Sequence, residues 1–448
     1  MCPVVLLALL FSFLMLLFEI TAAVTISFHP ASLKKIMEDE EQYVHFSIND
    51  SSLTGPNEGL YKVISSDPDI LQIPNGTYFD YDHNNGSFLV RALFLGKTSI
   101  HVVREVNGTT KDVLKSLDVS VVRRVSAISK AFVASVATLV SLNYINMGCA
   151  LDLAVVKSVL KKPIAPSIGF VSQYAIMPLV AYGLARLLFD DLTLQLGLFT
   201  FGCSPGGGAS NMWTVLLNGN LNLSLTMTFI SNLAALGMMP LWLFTLGRSL
   251  FSQINTEVPF TNILATLVSM LIPLAIGLAF QKWLPRVAKF CRRILAAASI
   301  LMILFIIVFG TYANLYMFRL FTWKILIAAS ANVWLGFFLG SLLGRTFDLS
   351  LADTVAVAVE TGIQNTGIAI VLLGSSLGQP EADMASVVPV AASIMTPFPL
   401  IVAYFVLKAR NKYFPANPAS HLYVMDDEDD ELKKTLPTPS STDSKIFA

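Results

Sequence analysis

Gly202 to Asn211 reads GCSPGGGASN, set inside a long run of apolar residues. Proline and glycine weaken a helix, and a buried asparagine is costly without hydrogen-bond partners. In a water-exposed loop these residues would need no explanation. Here they do, because 54% of the 448 residues are hydrophobic, only 13% are charged and the mean hydropathy is +0.65, too apolar for a soluble globule of this size. A helix broken in lipid exposes backbone groups that bulk water cannot reach, so protein, an ion or a trapped water has to satisfy them. The break therefore marks a buried site. A second one, VETGIQNTG at Val359 to Gly367, interrupts another apolar run.

Working outward, windows of about 20 apolar residues predict nine membrane spans, at about 126–150, 163–188, 192–217, 220–247, 258–281, 294–314, 322–343, 350–377 and 383–408. The breaks fall in the third and the eighth. Spans two to four and seven to nine thus form two halves, each broken in its middle member. They lie five spans apart, an odd offset, so the halves run in opposite directions, as an inverted repeat requires. Basic residues agree with the odd-numbered connections being cytosolic: Lys157, Lys161 and Lys162 in the first, Lys282, Arg286, Lys289, Arg292 and Arg293 in the fifth, Arg345 in the seventh, and Lys408, Arg410 and Lys412 after the ninth. The even-numbered connections are poor in cations and hold FDDL at 189–192 and QPEAD at 379–383.

The expected organisation is a signal peptide over residues 1–23, a glycosylated β domain over 24–124, a transmembrane domain over 125–410 and a disordered cytosolic tail over 411–448 with its acidic DDEDDE. The leader ends in small residues near Ala22 and Ala23 but has no charged start, so an uncleaved anchor is the alternative. Short alternating segments such as YVHFSI, GSFLVRALF and KTSIHVV, separated by turn residues, predict a sandwich-like all-β region. Four N-x-S/T sequons, at Asn49, Asn75, Asn85 and Asn107, place it outside the cell.

The net charge is formally zero, which gives no case for nucleic acid. Cys2, Cys149, Cys203 and Cys291 show no metal-binding spacing, and all five histidines lie outside the spans. HExxH and P-loop patterns are missing from the sequence, so an enzyme and a resident cofactor are not expected. Glu360 is the sharpest residue, since a carboxylate in mid-membrane is expensive unless paired, protonated or bound to a cation. The cores of these spans offer it no Lys or Arg. Sodium or a proton is left as partner, with hard oxygen ligands available at Gln173, Ser210, Asn211, Ser224, Thr228 and Gln364. The alternative is that these hydroxyls and amides only join helices.

The stretches GFVSQYAIMPLVAY, GCSPGGGASNMW, LSLTMTFISNLAALGMMPL and ETGIQNTGIAI, in this order over about residues 126–410, resemble the bile acid:sodium symporter family. The resemblance implies a core domain of two three-helix repeats with crossing broken helices, and a panel domain of the remaining helices. It implies one sodium held by Ser210, Asn211, Ser224, Thr228 and Glu360, and a second held by Gln173, Glu360, Thr361, Ile363 and Gln364, some through carbonyls. It places substrate contacts at Asn365 and at Gly208, where many bile acid carriers have Thr. The expected function is sodium-coupled symport of a small organic anion, such as a bile acid, a steroid sulfate or a related amphipathic carboxylate, by alternating access at the plasma membrane. Sodium, the anion and membrane lipid are the expected partners, with an unidentified protein partner left open for the β domain. The rival reading is a membrane receptor or regulator that binds a partner through that domain.

Overall fold

The computed structural model describes residues 25–49, 60–74, 78–79, 85–106, 109–124, 127–151, 153–253, 260–305, 308–309 and 311–413. The leader, the sequons Asn75 and Asn107 and the acidic tail lie outside them.

The N-terminal region is all β. Its strands are β1 (Thr25–His29), β2 (Leu33–Met37), β3 (Glu41–Asn49), β4 (Leu60–Ser65), β5 (Leu71–Gln72), β6 (Tyr78–Phe79), β7 (Asn85–Ala92), β8 (Gly96–Val106) and β9 (Thr109–Val122). They form a four-stranded sheet, β1-β3-β7-β5, and a five-stranded sheet, β2-β9-β8-β4-β6. Side chains alternate across a strand, and one set of alternate residues from both sheets closes the core: Val44 and Phe46, Phe88 and Val90, Ile100 and Val102, Leu117 and Val119. Alternation does not reveal β2. Its buried residues, Leu33 and Ile36, are three apart because the register slips between them at Lys35, whose φ is 63°. The slipped strand still pairs, parallel to β9. Asn49 ends β3 and Asn85 opens β7, and the pairings Thr25–Asn49 and Ser47–Asn85 put both at one end of the first sheet.

The rest is helical: α1 (Ala127–Ala150), α2 (Leu153–Lys161), α3 (Ile164–Val171), α4 (Met177–Leu188), α5 (Leu192–Gly202), α6 (Ala209–Leu216), α7 (Leu221–Phe244), α8 (Leu246–Gln253), α9 (Phe260–Trp283), α10 (Pro285–Phe305), α11 (Leu315–Arg319), α12 (Trp323–Thr346), α13 (Leu351–Gly362), α14 (Thr366–Ser376), α15 (Glu381–Met395) and α16 (Pro397–Tyr413). Five helical segments are long and apolar enough to cross a membrane, and a pair bent by 71°, Ala137–Ala150 with Leu153–Lys161, makes a sixth. The expected count of nine is not reached among the described residues. Two of the remaining stretches are the broken ones, each split into helices too short to cross alone, and the third, α10, begins with Arg286, Lys289, Arg292 and Arg293.

The connections sort by parity. Lys324, at the start of α12, pairs with Asp190 of the second connection at 3.1 Å, which joins connections two and six at one end of the bundle. At the other end Asn220, before α7, donates its Nδ2 to Asp353 of α13 at 2.8 Å and its N–H to the Ala352 carbonyl at 2.9 Å, joining connections three and seven.

The β region docks on the first of these ends. Arg123, just after β9, pairs with Asp383 at 3.5 Å and stacks its guanidinium 4.0 Å from the Tyr316 ring centre. Lys97 pairs with Glu381 at 2.7 Å, and the Arg319 guanidinium lies 4.2 Å from the Phe94 ring centre. Tyr316 donates its hydroxyl to Asp383 at 3.3 Å. Burial, reinforced by the Asp383 carboxylate, pushes that hydroxyl up and keeps it a neutral donor.

Candidate ion and substrate site at the crossed breaks

The two breaks meet and satisfy each other. Gly207 donates its N–H to the Ile363 carbonyl and Asn365 donates its N–H to the Pro205 carbonyl, both at 2.8 Å, and Gly206 bridges Gln364 in antiparallel fashion. A miniature two-stranded ladder thus replaces the water that lipid excludes. The second half-helices start here. Asn365 caps α14, its Oδ1 accepting the Ile368 N–H at 3.1 Å, and α6 begins after Gly208. A Cβ at Gly206 would overlap Oε1 of Glu360, so the carboxylate would have to shift to admit it.

Glu360 is 2% exposed and lies in the last turn of α13. Its Oε2 accepts from the Thr228 hydroxyl at 2.9 Å and from the Ser224 hydroxyl at 3.5 Å. The one Ser224 proton has a nearer alternative acceptor in Oδ1 of Asn211, at 3.0 Å, and the Ser210 hydroxyl lies 3.4 Å from that of Thr228. All five residues expected at the first sodium position converge, and all are buried. Among the described residues, ion pairs sit at the sheet surface and the even-numbered end, and none involves Glu360.

The second group sits across the crossover. Gln173 donates Nε2 to the Ser204 carbonyl at 2.7 Å and to Oε1 of Gln364 at 2.5 Å, and Gln364 donates to the Thr361 carbonyl at 3.0 Å. The Thr361 hydroxyl donates to the Val357 carbonyl at 2.8 Å, and its carbonyl is the acceptor of that Gln364 bond. Gln173 lies in a π-helical turn, Ser172–Ile176, between α3 and α4. The cause is Pro178, which has no N–H to give the Tyr174 carbonyl four residues back. Trp242 takes that carbonyl instead, through its indole N–H at 2.7 Å. Oε1 of Gln173 and Oε1 of Glu360 are both buried without a hydrogen-bond partner, and both residues line one pocket with Gly169, Met227 and Ser231.

Residue type and spacing did not single out Tyr144, Ser231 or Asn232. Asn365 donates Nδ2 to the Tyr144 hydroxyl at 2.6 Å, and Tyr144 donates to Oδ1 of Asn232 at 2.9 Å. Ser231 Oγ accepts the Gly206 N–H at 3.3 Å, and its carbonyl accepts the Tyr174 hydroxyl. Asn232 could have been flagged, as a buried amide within a span. A tyrosine in an apolar helix gives no such signal. Gly208 lies beside α1, where a Cβ would come 3.0 Å from Nδ2 of Asn143.

The model of the Sodium Bile acid symporter family matches residues 137–320. The human P3 protein is 30% identical over 251 residues, which are 56% of this chain and 53% of that protein, so the chain spans about half the length of the P3 proteins it matches. The human hepatic sodium/bile acid cotransporter is 31% identical over 51% of this chain and 66% of its own length. The human ileal sodium/bile acid cotransporter is 32% identical over 57% of this chain and 73% of its own. Apolar helices, paired breaks and these relatives lead to one conclusion: the chain is a multi-pass integral membrane protein and belongs to the Sodium Bile acid symporter family.

Proposed function

We propose that the protein is a sodium-coupled secondary transporter of a small organic anion, a bile acid, steroid sulfate or related amphipathic carboxylate, working by alternating access. The observation that carries the proposal is the pair of buried, unpartnered acceptor oxygens, Glu360 Oε1 and Gln173 Oε1, on two residues that line one pocket. Such orphans are costly, and a cation ligated by both would remove the cost. Ser210, Asn211, Ser224, Thr228 and Glu360 would hold one sodium, while Gln173, Gln364 and the carbonyls of Thr361 and Ile363 would share Glu360 in holding a second. The N-termini of α6 and α14, both at the crossover, present the positive ends of their dipoles to an anion, with Asn365 and Gly208 at the contact. Ion and anion then favour one arrangement of the same backbone, which is what coupling requires. The charge pattern of the connections favours the β region outside the plasma membrane, bearing glycans on Asn49, Asn75, Asn85 and Asn107, and the C-terminus in the cytosol. Removal of the leader as a signal peptide belongs to the same reading.

The test is thermal stability of the purified chain in sodium chloride against choline chloride at constant ionic strength. Stabilisation should follow RT ln(1 + [Na⁺]/Kd), about 2.7 kcal/mol at a hundredfold excess over Kd, and should vanish in Glu360→Ala. Equal stability of the wild type in both salts would remove the sodium reading.

A further inference from the structure

Four hydrogen bonds run in series from Asn365 to Glu360, and they pass through a helix that supplies no expected ligand. Oδ1 of Asn365 is engaged by the Ile368 N–H, so its Nδ2 faces outward and donates to the Tyr144 hydroxyl at 2.6 Å. Tyr144 donates to Oδ1 of Asn232 at 2.9 Å. Asn232 donates Nδ2 to the Thr228 carbonyl at 2.7 Å, and the Thr228 hydroxyl lies 2.9 Å from Glu360 Oε2 and equally 2.9 Å from the Ser224 carbonyl. Because each amide has its other end fixed, the series has one direction only. The Tyr144 hydroxyl accepts once and donates once and has no other proton to give.

Tyr144 belongs to α1, whose main packing is on α9 and α10. That packing is tight at the same level of the helix. A Cβ at Gly148 would come 2.5 Å from the Leu274 carbonyl oxygen, and one at Gly277 would press on the Ile145 carbonyl. The position of Tyr144 is therefore set by the α1–α9 pair. Its hydroxyl is a polar link from that pair to the crossover, 6% exposed at its residue and joined on both sides.

We propose that Tyr144 is a positioning residue for the ion. Its hydroxyl touches no expected sodium ligand directly, but it fixes the Asn232 amide that holds the Thr228 backbone, and on the other side it fixes the Asn365 cap. Tight sodium binding then requires α1 to be seated at the crossover, and withdrawal of α1 loosens the ion site and the substrate-contacting asparagine in one step. This rests on the sodium reading above.

The test uses the full chain and sodium alone. Melting temperature is followed across a sodium chloride titration balanced with choline chloride, for wild type, Tyr144→Phe, Asn232→Leu and the double variant. Tyr144→Phe keeps the ring and removes the link, and should raise the sodium concentration for half-maximal stabilisation about five- to tenfold. Asn232→Leu should do the same, and the double variant should be no worse than the more affected single one, since both cut one series. If either single variant failed to fold, the other would decide alone. A variant that melts lower in both salts with an unchanged sodium midpoint would show a merely structural role and overturn the proposal. No sodium-specific shift in the wild type would instead remove the sodium reading itself, and this proposal with it.

Discussion

Thr228 donates its hydroxyl to Oε2 of Glu360 across 2.9 Å while Oε1 of the same carboxylate is buried without a partner. The two oxygens thus have different work to do. Oε2 is held in place by α7, and Oε1 is free for a ligand, on a residue that lines the pocket. Thr228→Val keeps the shape and removes the donor. Hydrogen bonds to charged groups are worth about 1.5–3 kcal/mol, so sodium affinity should fall about ten- to hundredfold, and Thr228→Ser should retain most of it. A sodium titration of melting temperature at fixed ionic strength gives both numbers.

Gly206→Ala would drive a methyl group into Oε1 of Glu360. Overpacking of this kind costs about 1–3 kcal/mol, and here the displaced group is the carboxylate itself, so the sodium response should disappear along with the lost stability. Gly183, in α4, has nothing within 4 Å of its would-be Cβ. Gly183→Ala should be neutral or stabilising by up to about 1 kcal/mol with the sodium response unchanged. Melting curves of the two variants, side by side in both salts, separate site from scaffold.

Trp242→Phe should leave the Tyr174 carbonyl without its donor at a cost of about 1–3 kcal/mol. Pro178→Ala restores a backbone N–H in register with that same carbonyl. The double variant should therefore lose less stability than Trp242→Phe alone, measured by denaturation in one detergent. Simple additivity of the two losses would show that the proline does not shape the π turn.

Arg123→Ala and Asp383→Asn should each loosen the docked β region. The pair is only 15% and 14% exposed and is braced by the Tyr316 ring, so a coupling of about 1 kcal/mol is expected, the upper end for an ion pair near a surface. Hydrogen exchange should quicken at Asn314–Leu320 and Gln379–Asp383 in either variant, and no further in both together.

The helix breaks were legible because Pro, Gly, Asn and Glu have no other reason to lie in an apolar run. GCSPGGGASN and VETGIQNTG therefore pointed to the two breaks that meet in the fold. The β region was legible from alternation wherever its strands are regular, and β2 escaped because a register slip at Lys35 removes the alternation. The span count was harder to read, because hydropathy sees apolar length and not the bend after Ala150 or the basic N-terminal part of α10. Tyr144 was invisible for a different reason. Its role depends on which residues stand opposite, 88 positions away at Asn232 and 221 away at Asn365, and no local pattern encodes that.

The docked β region also has an electrical consequence. Lys97 and Arg123 lie against Glu381 and Asp383, so the even-numbered end of the bundle presents two compensated pairs where the helical region alone would present two bare carboxylates. Uncompensated, they would gather cations and turn anions away over roughly the 8–10 Å that salt leaves unscreened. With the sheets in place that field is largely cancelled, and a negatively charged molecule nearing this end meets no such barrier.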